Sequence, residues 1–277
     1  MRIVVTGGTG FVGGHVIEQA LAAGHRVTAL RRPGSRPGRV LAAQPDWVEG
    51  PLEGNWRRAL AGHDVLLHLA AHTANPPYDT LEACLHWNVT VPLGLAAQAH
   101  EAGIERFVIA GSCFEYGPVA SGRVAVDAPL APTSSYAISK AAASVAFLGQ
   151  ARLLGLRTTL MRLFHVYGPG EPEGRLWPSL RRAALAGEDF PMSPGHQVRD
   201  FVAVEEAARQ LLAAAVADDA APGLPQVRHV GTGRAQTLLQ FAEHWWQHWG
   251  ARGRLLPGAL PYRPGEAMVL VPEIEPR

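Results

Sequence analysis

One tyrosine and one lysine, Tyr136 and Lys140, stand four residues apart in the chain. Lys140 is the only lysine of the 277-residue sequence, in which lysine and arginine together number 25. On a helix, residues i and i+4 share one face, so this spacing predicts a phenol beside an ammonium group. A nearby ammonium lowers the pKa of a phenol from its ordinary value of about 10, which helps it to exchange a proton. The pair therefore indicates a general acid or base; the alternative is an amphipathic helix with a chance pairing.

Three glycines follow a short β-branched run near the N-terminus. The run Arg2–Thr6 has the unalternating apolar pattern of a buried parallel strand, and the residues after the glycines have helical spacing. Gly7, Gly10 and Gly13 stand between the two. In a strand–turn–helix context, such glycines let backbone amides approach a pyrophosphate, whose charge the helix N-terminus stabilises. We therefore predict a dinucleotide site here, the alternative being a tight turn that binds no ligand.

Two arginines follow the second predicted strand, residues 25–30. Arg31 and Arg32 stand where an acidic residue would hold the adenosine ribose of NAD. A carboxylate there repels a 2′-phosphate, whereas a guanidinium attracts it. The pair favours NADP(H) as the cofactor, with NAD(H) as the alternative; a solvated basic loop without a ligand is the other reading.

Strands and helices alternate along most of the chain. Strand candidates cover residues 47–49, 64–71, 106–110, 157–163 and 227–231, and helix candidates cover residues 81–102, 176–185, 204–216 and 237–249. This alternation predicts an α/β fold with a doubly wound parallel sheet. We expect a dinucleotide-binding domain over residues 1–167, with residues 198–233 returning to it. Residues 168–197 and 234–277 would form a small C-terminal substrate-binding lobe with an irregular, proline-rich tail.

The composition narrows the class of protein. Hydrophobic residues make up 47% and charged residues 18% of the sequence, as in a globular chain with a sizeable core. The net charge of +1 provides no basic field for nucleic acid. Cys84 and Cys113 are too few for a disulfide framework, and no spacing predicts a metal site. We find no signal peptide and no apolar run of membrane length, so we expect a cytoplasmic protein without membrane contact.

Six motifs, in order along nearly the whole chain, resemble those of the extended short-chain dehydrogenase/reductase family, of the NAD-dependent epimerase/dehydratase type. They are Gly7-x-x-Gly10-x-x-Gly13, His68-Leu69-Ala70-Ala71, the Ser112 region ending in Tyr116-Gly117, Tyr136-x-x-x-Lys140, Arg162-x-Phe164-His165-Val166-Tyr167-Gly168-Pro169, and Arg199-Asp200-Phe201. The stretches Gly111–Gly117 and Gly258–Glu266 look most like those of nucleotide-sugar 4-ketoreductases or epimerases that act on nucleotide-linked 6-deoxyhexoses. The resemblance implies a Rossmann fold, a nucleotide-diphosphate sugar as the binding partner, and a homodimer.

The resemblance also assigns roles to residues. It implies that Tyr136 is the acid/base, that Lys140 supports it and bonds the nicotinamide ribose, and that Ser112 bonds the reacting oxygen. The resemblance implies that the cofactor-binding residues are Gly7, Gly10, Phe11, Val12, Gly13, Leu69, Ala70, Ala71, Asn88, Tyr136, Lys140, Phe164 and Val166. Arg31 and Arg32 are added to this set because of their charge. The implied substrate-binding residues are Cys113, Phe114, His165, Arg175, Gln197, Arg199 and Arg263. No residue is assigned to a metal.

Some positions depart from the family pattern. Family dehydratases carry an acidic pair where Cys113 and Phe114 stand, so elimination of water by that route is disfavoured. His165 replaces an asparagine, and Pro51 replaces an aspartate near the adenine. The chain ends soon after Glu266, so we expect a small lobe and a sugar pocket with one wall that is either open or borrowed.

Three functions follow from these expectations. The first is an NAD(P)-dependent oxidoreductase that reduces a nucleotide-linked 4-keto-6-deoxyhexose, with Tyr136 as general acid. The alternative is an NAD-dependent nucleotide-sugar 4-epimerase, which holds NAD tightly; Arg31 and Arg32 argue against it. A non-catalytic dinucleotide-binding protein is the third, but such a protein has no need to combine Ser112, Tyr136 and Lys140.

Overall fold

The computed structural model describes residues 1–119, 122–217, 219–263 and 265–274 of the chain. The strands are β1 (Arg2–Thr6), β2 (Arg26–Arg31), β3 (Asp46–Glu49), β4 (Val65–His68), β5 (Arg106–Ser112), β6 (Arg157–Leu163), β7 (His165–Tyr167), β8 (Phe190–Met192), β9 (Val198–Arg199), β10 (Phe201–Ala203), β11 (Gln226–Val230), β12 (Gln236–Thr237), β13 (Leu255–Pro257) and β14 (Val269–Leu270). The helices are α1 (Phe11–Ala22), α2 (Arg57–Leu60), α3 (Leu81–Leu85), α4 (Val91–Glu101), α5 (Ser135–Leu154), α6 (Leu176–Ala186), α7 (Val204–Val216) and α8 (Leu238–His248). A π-helical turn, His86–Thr90, joins α3 to α4, and a 3₁₀ turn, Cys113–Tyr116, follows β5.

Seven strands form one parallel sheet in the order β11-β6-β5-β4-β1-β2-β3. After β1, the chain adds β2 and β3 toward one edge of the sheet. It then returns to the other side of β1 with β4 and adds β5, β6 and β11 toward the opposite edge. The strand order therefore reverses between β1 and β4, and ligands of such sheets bind at the carboxyl ends of the strands beside this reversal. The predicted α/β fold with a doubly wound Rossmann sheet is confirmed.

Helices cover both faces of this sheet, and the strands are accordingly buried over most of their length. Neighbouring residues of β1 point to opposite faces, and they belong to two different apolar clusters. Val5 packs in the cluster that contains Val16 of α1 and Leu211 of α7. Val4 packs in the cluster that contains Leu95 of α4 and Phe147 of α5. The sheet is thus buried between two helical layers, and only the ends of its strands remain open to ligands.

A third, smaller apolar cluster lies between α6 and α8. Leu180 and Ala184 of α6 pack with Ala242 and Trp246 of α8, and the short pair β8–β13 closes this cluster. β11 lies at the edge of the large sheet, next to β6, although it follows α6 in the chain. The division of the chain into a dinucleotide-binding domain and a substrate-binding lobe stays a prediction.

The local structure departs from the expected elements at three places. β4 ends at His68 rather than continuing to residue 71. The long helix expected over residues 81–102 is interrupted by the π-helical turn His86–Thr90, which ends just before Pro92. The tail is not irregular throughout, since β14 pairs with β9. Within the described part of the chain, no helix is long and apolar enough to cross a membrane.

Candidate active site

The glycine turn between β1 and α1 is shaped by close backbone contacts. Gly7 has a φ of +74°, a left-handed conformation that favours glycine, and its carbonyl accepts the N–H of Gly10 at 2.9 Å. A Cβ placed on Gly13 would lie 2.2 Å from the Gly7 carbonyl oxygen, so no larger residue fits there. Gly10 precedes α1 and provides no side-chain cap. The first amides of α1 are therefore available to an anion, and the turn fits a dinucleotide pyrophosphate.

A cavity of about 930 Å³ opens at the carboxyl ends of the sheet strands. It begins at the glycine turn and passes the ends of β4, β5 and β6. Of the residues predicted to form the site, those that line it are Gly7, Gly10, Phe11, Val12, Gly13, Arg31, Arg32, Leu69, Ala70, Ala71, Ser112, Cys113, Phe114, Tyr136, Lys140, Phe164, His165, Val166 and Arg175. Asn88, Gln197, Arg199 and Arg263 are not among the residues that line the cavity.

The three predicted catalytic side chains meet in the middle of this cavity. Tyr136 and Lys140 lie on the first turns of α5, which Ser134 caps by accepting the N–H of Ala137 at 3.2 Å. Ser112 is the last residue of β5, a strand that packs against α5. All three are buried, and the ammonium of Lys140 donates to the carbonyl of Ala110 on β5. One hydroxyl, one phenol and one ammonium thus share a site from which bulk water is largely excluded.

The acidity of the phenol differs from the sequence-based expectation. Burial raises the pKa of Tyr136 above its ordinary value, and a hydrogen bond with Ser112 is what opposes this rise. The ammonium of Lys140 turns to a backbone carbonyl and is not a cause of the shift. Burial also lowers the pKa of Lys140. The expectation that Lys140 lowers the pKa of Tyr136 is wrong for this structure; the phenol keeps its proton at neutral pH, as a general acid must.

Asn88 lies behind the catalytic helix. It belongs to the π-helical turn, a distortion that often marks functional sites. Its amide donates to the hydroxyl of Ser139 at 2.9 Å, and its oxygen accepts the N–H of His72 at 2.7 Å. Asn88 therefore connects α5 to the loop after β4. A direct bond to the cofactor stays a prediction.

Three side chains that line the cavity near Tyr136 are neutral. Burial raises the pKa of Cys113 to about 12, so it remains a thiol. Burial and two neighbouring arginines hold the pKa of His165 well below its ordinary value, so this imidazole is neutral. Phe114 meets the His165 ring edge-on at 5.7 Å. The Nδ1 atom of His165 is buried and has no hydrogen-bond partner among the described residues, which leaves it available to a ligand.

Most of the predicted cationic and amide groups of the lobe are bound to other protein groups. Arg175 lines the cavity, but it pairs with Glu171 at 2.6 Å and donates to Asn75 at 2.9 Å. Arg199 is buried and donates to the carbonyl of Ala267 at 2.6 Å, with Glu266 3.6 Å away. The side chains of Gln197 and Ser193 bond to each other at 3.2 Å, and Arg263 is exposed.

The two arginines after β2 also differ. Arg31 pairs with Glu49 of β3 at 2.6 Å and lies over the ring of Trp47, 4.9 Å from its centre. Arg32 is exposed, lines the cavity and has no ion-pair partner among the described residues. The charge of Arg31 is therefore compensated within the protein, whereas that of Arg32 is open to a ligand.

Sequence reasoning missed two groups that contact the catalytic residues. The ring of Tyr78 stacks on that of Tyr136, with centres 5.7 Å apart and planes 12° from parallel. The carboxylate of Glu115 accepts the N–H of Ser112 at 2.7 Å. Tyr78 belongs to a loop with no motif, so no sequence signal identifies it. Glu115 stands inside the Ser112 motif. A charged residue between Phe114 and Tyr116 was a signal in the sequence that could have identified this carboxylate.

The parallel sheet, with its glycine turn and a cavity at the strand reversal, is a Rossmann fold of the kind that binds dinucleotides. The profile of the NAD dependent epimerase/dehydratase family matches residues 3–227, and the chain belongs to this family. Both the family and the fold are those expected from the motifs.

Relatives with different activities resemble the chain over most of its length. A dTDP-glucose 4,6-dehydratase of Streptomyces niveus is 29% identical over 284 residues, which cover 96% of this chain and 82% of that protein. A UDP-glucose 4-epimerase of Corynebacterium glutamicum is 24% identical over 294 residues, which cover 99% and 88% of the two chains. The solved structure of MoeE5 in complex with UDP-glucose and NAD has a TM-score of 0.84 and 27% identity, and the match covers 99% of this chain and 90% of that one.

Proposed function

We propose that the protein is an NAD(P)-dependent reductase of a nucleotide-linked 4-keto-6-deoxyhexose. The chemistry of the cavity around Tyr136 carries this proposal. Among the described residues that line the cavity, Glu53 is the only carboxylic acid, and it lies beyond β3. Beside Tyr136 stand a neutral thiol, a phenyl ring and a neutral imidazole, those of Cys113, Phe114 and His165. Elimination of water needs a further acid–base pair, whereas reduction needs one hydride and one proton.

The chain's own groups account for the proton transfer. Tyr136 keeps its proton at neutral pH and donates it to the carbonyl oxygen of the sugar as that oxygen becomes a hydroxyl. Ser112 donates a hydrogen bond to the same oxygen, and the positive charge of Lys140 stabilises the negative charge that develops on it. The turn formed by Gly7, Gly10 and Gly13 would hold the dinucleotide, which supplies the hydride when bound.

The names of the relatives support a nucleotide sugar as the substrate. They include a dTDP-glucose dehydratase and a UDP-glucose epimerase, and MoeE5 binds UDP-glucose with NAD. In this chain, Arg175 lines the cavity and Arg263 is exposed, with a charge that acts on the pKa of Tyr78, so we propose that both contact the diphosphate. The buried Arg199 would act indirectly, by holding the backbone that precedes β14.

We propose NADP(H) as the preferred cofactor because Arg32 offers an uncompensated guanidinium at the ribose end of the cavity. The ion pair between Arg31 and Glu49 is a specific observation in favour of the second candidate. It neutralises one of the two arginines and leaves a carboxylate nearby, an arrangement that suits NAD and therefore the 4-epimerase, which retains its cofactor.

Cofactor stoichiometry separates the two reactions. The purified protein would be mixed with NADPH and each member of a panel of 4-keto-6-deoxy nucleotide sugars. A reductase oxidises one NADPH for each sugar reduced, because it releases the oxidised cofactor. Conversion of a 4-hydroxy nucleotide sugar to its epimer, without added cofactor and without net NADPH oxidation, would reject the reductase proposal in favour of the epimerase. The homodimer and the cytoplasmic location stay predictions.

A further inference from the structure

A buried carboxylate connects the elements that carry the catalytic residues. Glu115 lies in the 3₁₀ turn after β5 and is completely buried. One of its oxygens accepts the backbone N–H of Ser112 at 2.7 Å. The other accepts the hydroxyl of Ser144 at 2.7 Å and the Nε of Arg162 at 2.8 Å. A single side chain thus joins the end of β5, helix α5 and strand β6.

The bond to Ser144 reaches the catalytic helix at a defined place. Tyr136, Lys140 and Ser144 stand at positions i, i+4 and i+8, so they lie along one face of α5. Fixing Ser144 therefore limits both the rotation and the sliding of the face that carries the phenol and the ammonium. The same carboxylate fixes Ser112 on the opposite side of the site.

The surrounding structure holds the carboxylate in one place. Arg162 also donates to the hydroxyl of Tyr116 at 2.7 Å and to the carbonyl of Val126 at 2.9 Å, so its guanidinium is anchored at several points. A Cβ on Gly111 would lie 2.8 Å from a Glu115 oxygen, which shows how closely the backbone surrounds this group. Buried charges cost free energy unless they are paired and fully hydrogen-bonded, and Glu115 meets both conditions.

We propose that Glu115 is a positioning residue that holds Ser112, Tyr136 and Lys140 in register with one another. The charged and titratable groups that face it are Arg162 from β6, Tyr136 and Lys140 from α5, and Cys113 and Tyr116 from its own turn. Burial raises the pKa of Tyr136, and the negative charge of Glu115 adds to this rise; burial lowers the pKa of Lys140, and the same charge opposes this fall.

The inference rests on the proposed catalytic role of Tyr136, and the test uses Glu115→Gln in the full chain. The amide keeps the size of the side chain but removes its charge, and its NH₂ group faces a donor on one side or the other. We expect kcat to fall by roughly 10²-fold, a cost that a misplacement of about 1 Å can have, while the cofactor Kd stays near the wild-type value. The charge of Glu115 opposes the fall that burial causes in the pKa of Lys140, so removing that charge should lower this pKa further and move the alkaline limb of the pH profile to lower pH.

A second buried carboxylate provides the control. Asp200 is also completely buried and accepts three donors, the N–H groups of Thr232 and Gly233 at 2.7 Å each and the hydroxyl of Thr232 at 2.6 Å. Asp200→Asn should lower the melting temperature and leave kcat and the alkaline limb unchanged. If Glu115→Gln behaves in the same way, Glu115 serves stability alone and the proposal is overturned.

Hydrogen exchange gives a measurement that needs no substrate. Glu115→Gln should speed amide exchange in residues 110–117 and in the first half of α5, whereas Asp200→Asn should not. Unchanged exchange in both segments would overturn the proposal, even if the protein proves to catalyse a reaction other than the one proposed. If Glu115→Gln does not fold, Ser144→Ala takes its place, because it removes the link to α5 alone; unchanged kcat and unchanged exchange in α5 would then decide against the proposal.

Discussion

The two ends of the cavity present polar groups in different ways. At the glycine end, the available donors are backbone amides of the turn and of the first residues of α1. Close contacts between residues near each other in the sequence, such as Gly7 and Gly13, determine the shape of this turn. At the lobe end, the polar groups are long side chains that other parts of the chain already engage, such as Arg175 with Asn75 and Arg199 with the Ala267 carbonyl. The first end is therefore rigid because of its local geometry, whereas the second depends on contacts between distant segments.

The largest effect is expected where the two ends meet. Tyr136→Phe should reduce turnover by about 10²–10⁴-fold, the usual contribution of a general acid. The cofactor Kd and the melting temperature should change little, because the phenyl ring can keep its stacking on Tyr78. Steady-state kinetics and cofactor titration measure both quantities. Tyr167→Phe, a tyrosine of the aromatic cluster around Trp177 and Phe241, is the matched control and should retain activity. Near-normal turnover of Tyr136→Phe would mean that another group is the acid.

The rigidity of the glycine end predicts the next effect. In Gly13→Ala the new methyl group meets the Gly7 carbonyl at 2.2 Å, so the turn must open. We expect cofactor affinity to fall by roughly 10–10²-fold, equivalent to an overpacking cost of about 1–3 kcal/mol. Gly14→Ala is the control, since its methyl group would meet side chains no closer than 3.5 Å. Equal cofactor affinity in the two variants would contradict the steric argument.

At the lobe end, two arginines should respond in different ways. Arg199→Met leaves the Ala267 carbonyl without its donor, so the free energy of unfolding should fall by about 1–3 kcal/mol. Arg263→Ala removes an exposed side chain and should leave stability unchanged, but raise KM for the nucleotide sugar by about tenfold, as the loss of a charged hydrogen bond predicts. Denaturant unfolding and steady-state kinetics test the pair. The comparison fails if Arg263→Ala destabilises the protein more than Arg199→Met does.

The smallest effect concerns cofactor choice. Arg32→Ser should weaken NADPH binding by about twofold to fivefold, the value of an exposed charge pair worth roughly 0.2–1 kcal/mol, and leave NADH binding unchanged. Arg31→Met should alter NADPH binding less, because Glu49 already compensates that charge. Parallel titrations with both cofactors provide the measurement. If Arg31→Met loses more NADPH affinity than Arg32→Ser does, then Arg31 is the residue that binds the 2′-phosphate.

The accuracy of the sequence-based predictions follows the same division. Every predicted residue of the glycine turn lines the cavity, as do Ser112, Tyr136 and Lys140, because short spacings on a strand, turn or helix determine which way these residues face. Of the seven residues predicted to bind substrate, Gln197, Arg199 and Arg263 do not line it. Their environment depends on where the tail runs, and the pairing of β14 with β9 has no local signal.

The sequence alone determined the doubly wound sheet, the position of the glycine turn and the choice of Ser112, Tyr136 and Lys140 as groups that line one cavity. Each of these depends on residue spacing within one element and on the alternation of elements along the chain. Only the tertiary structure decided the protonation state of those side chains and the neighbouring residues that hold them in place. Burial keeps the proton on Tyr136, Tyr78 covers its ring, and Glu115, which accepts the N–H of Ser112, also bonds to Ser144 of α5, 29 residues away from it. Such effects depend on which distant segments exclude water from the same site, and no local pattern in the chain records that information.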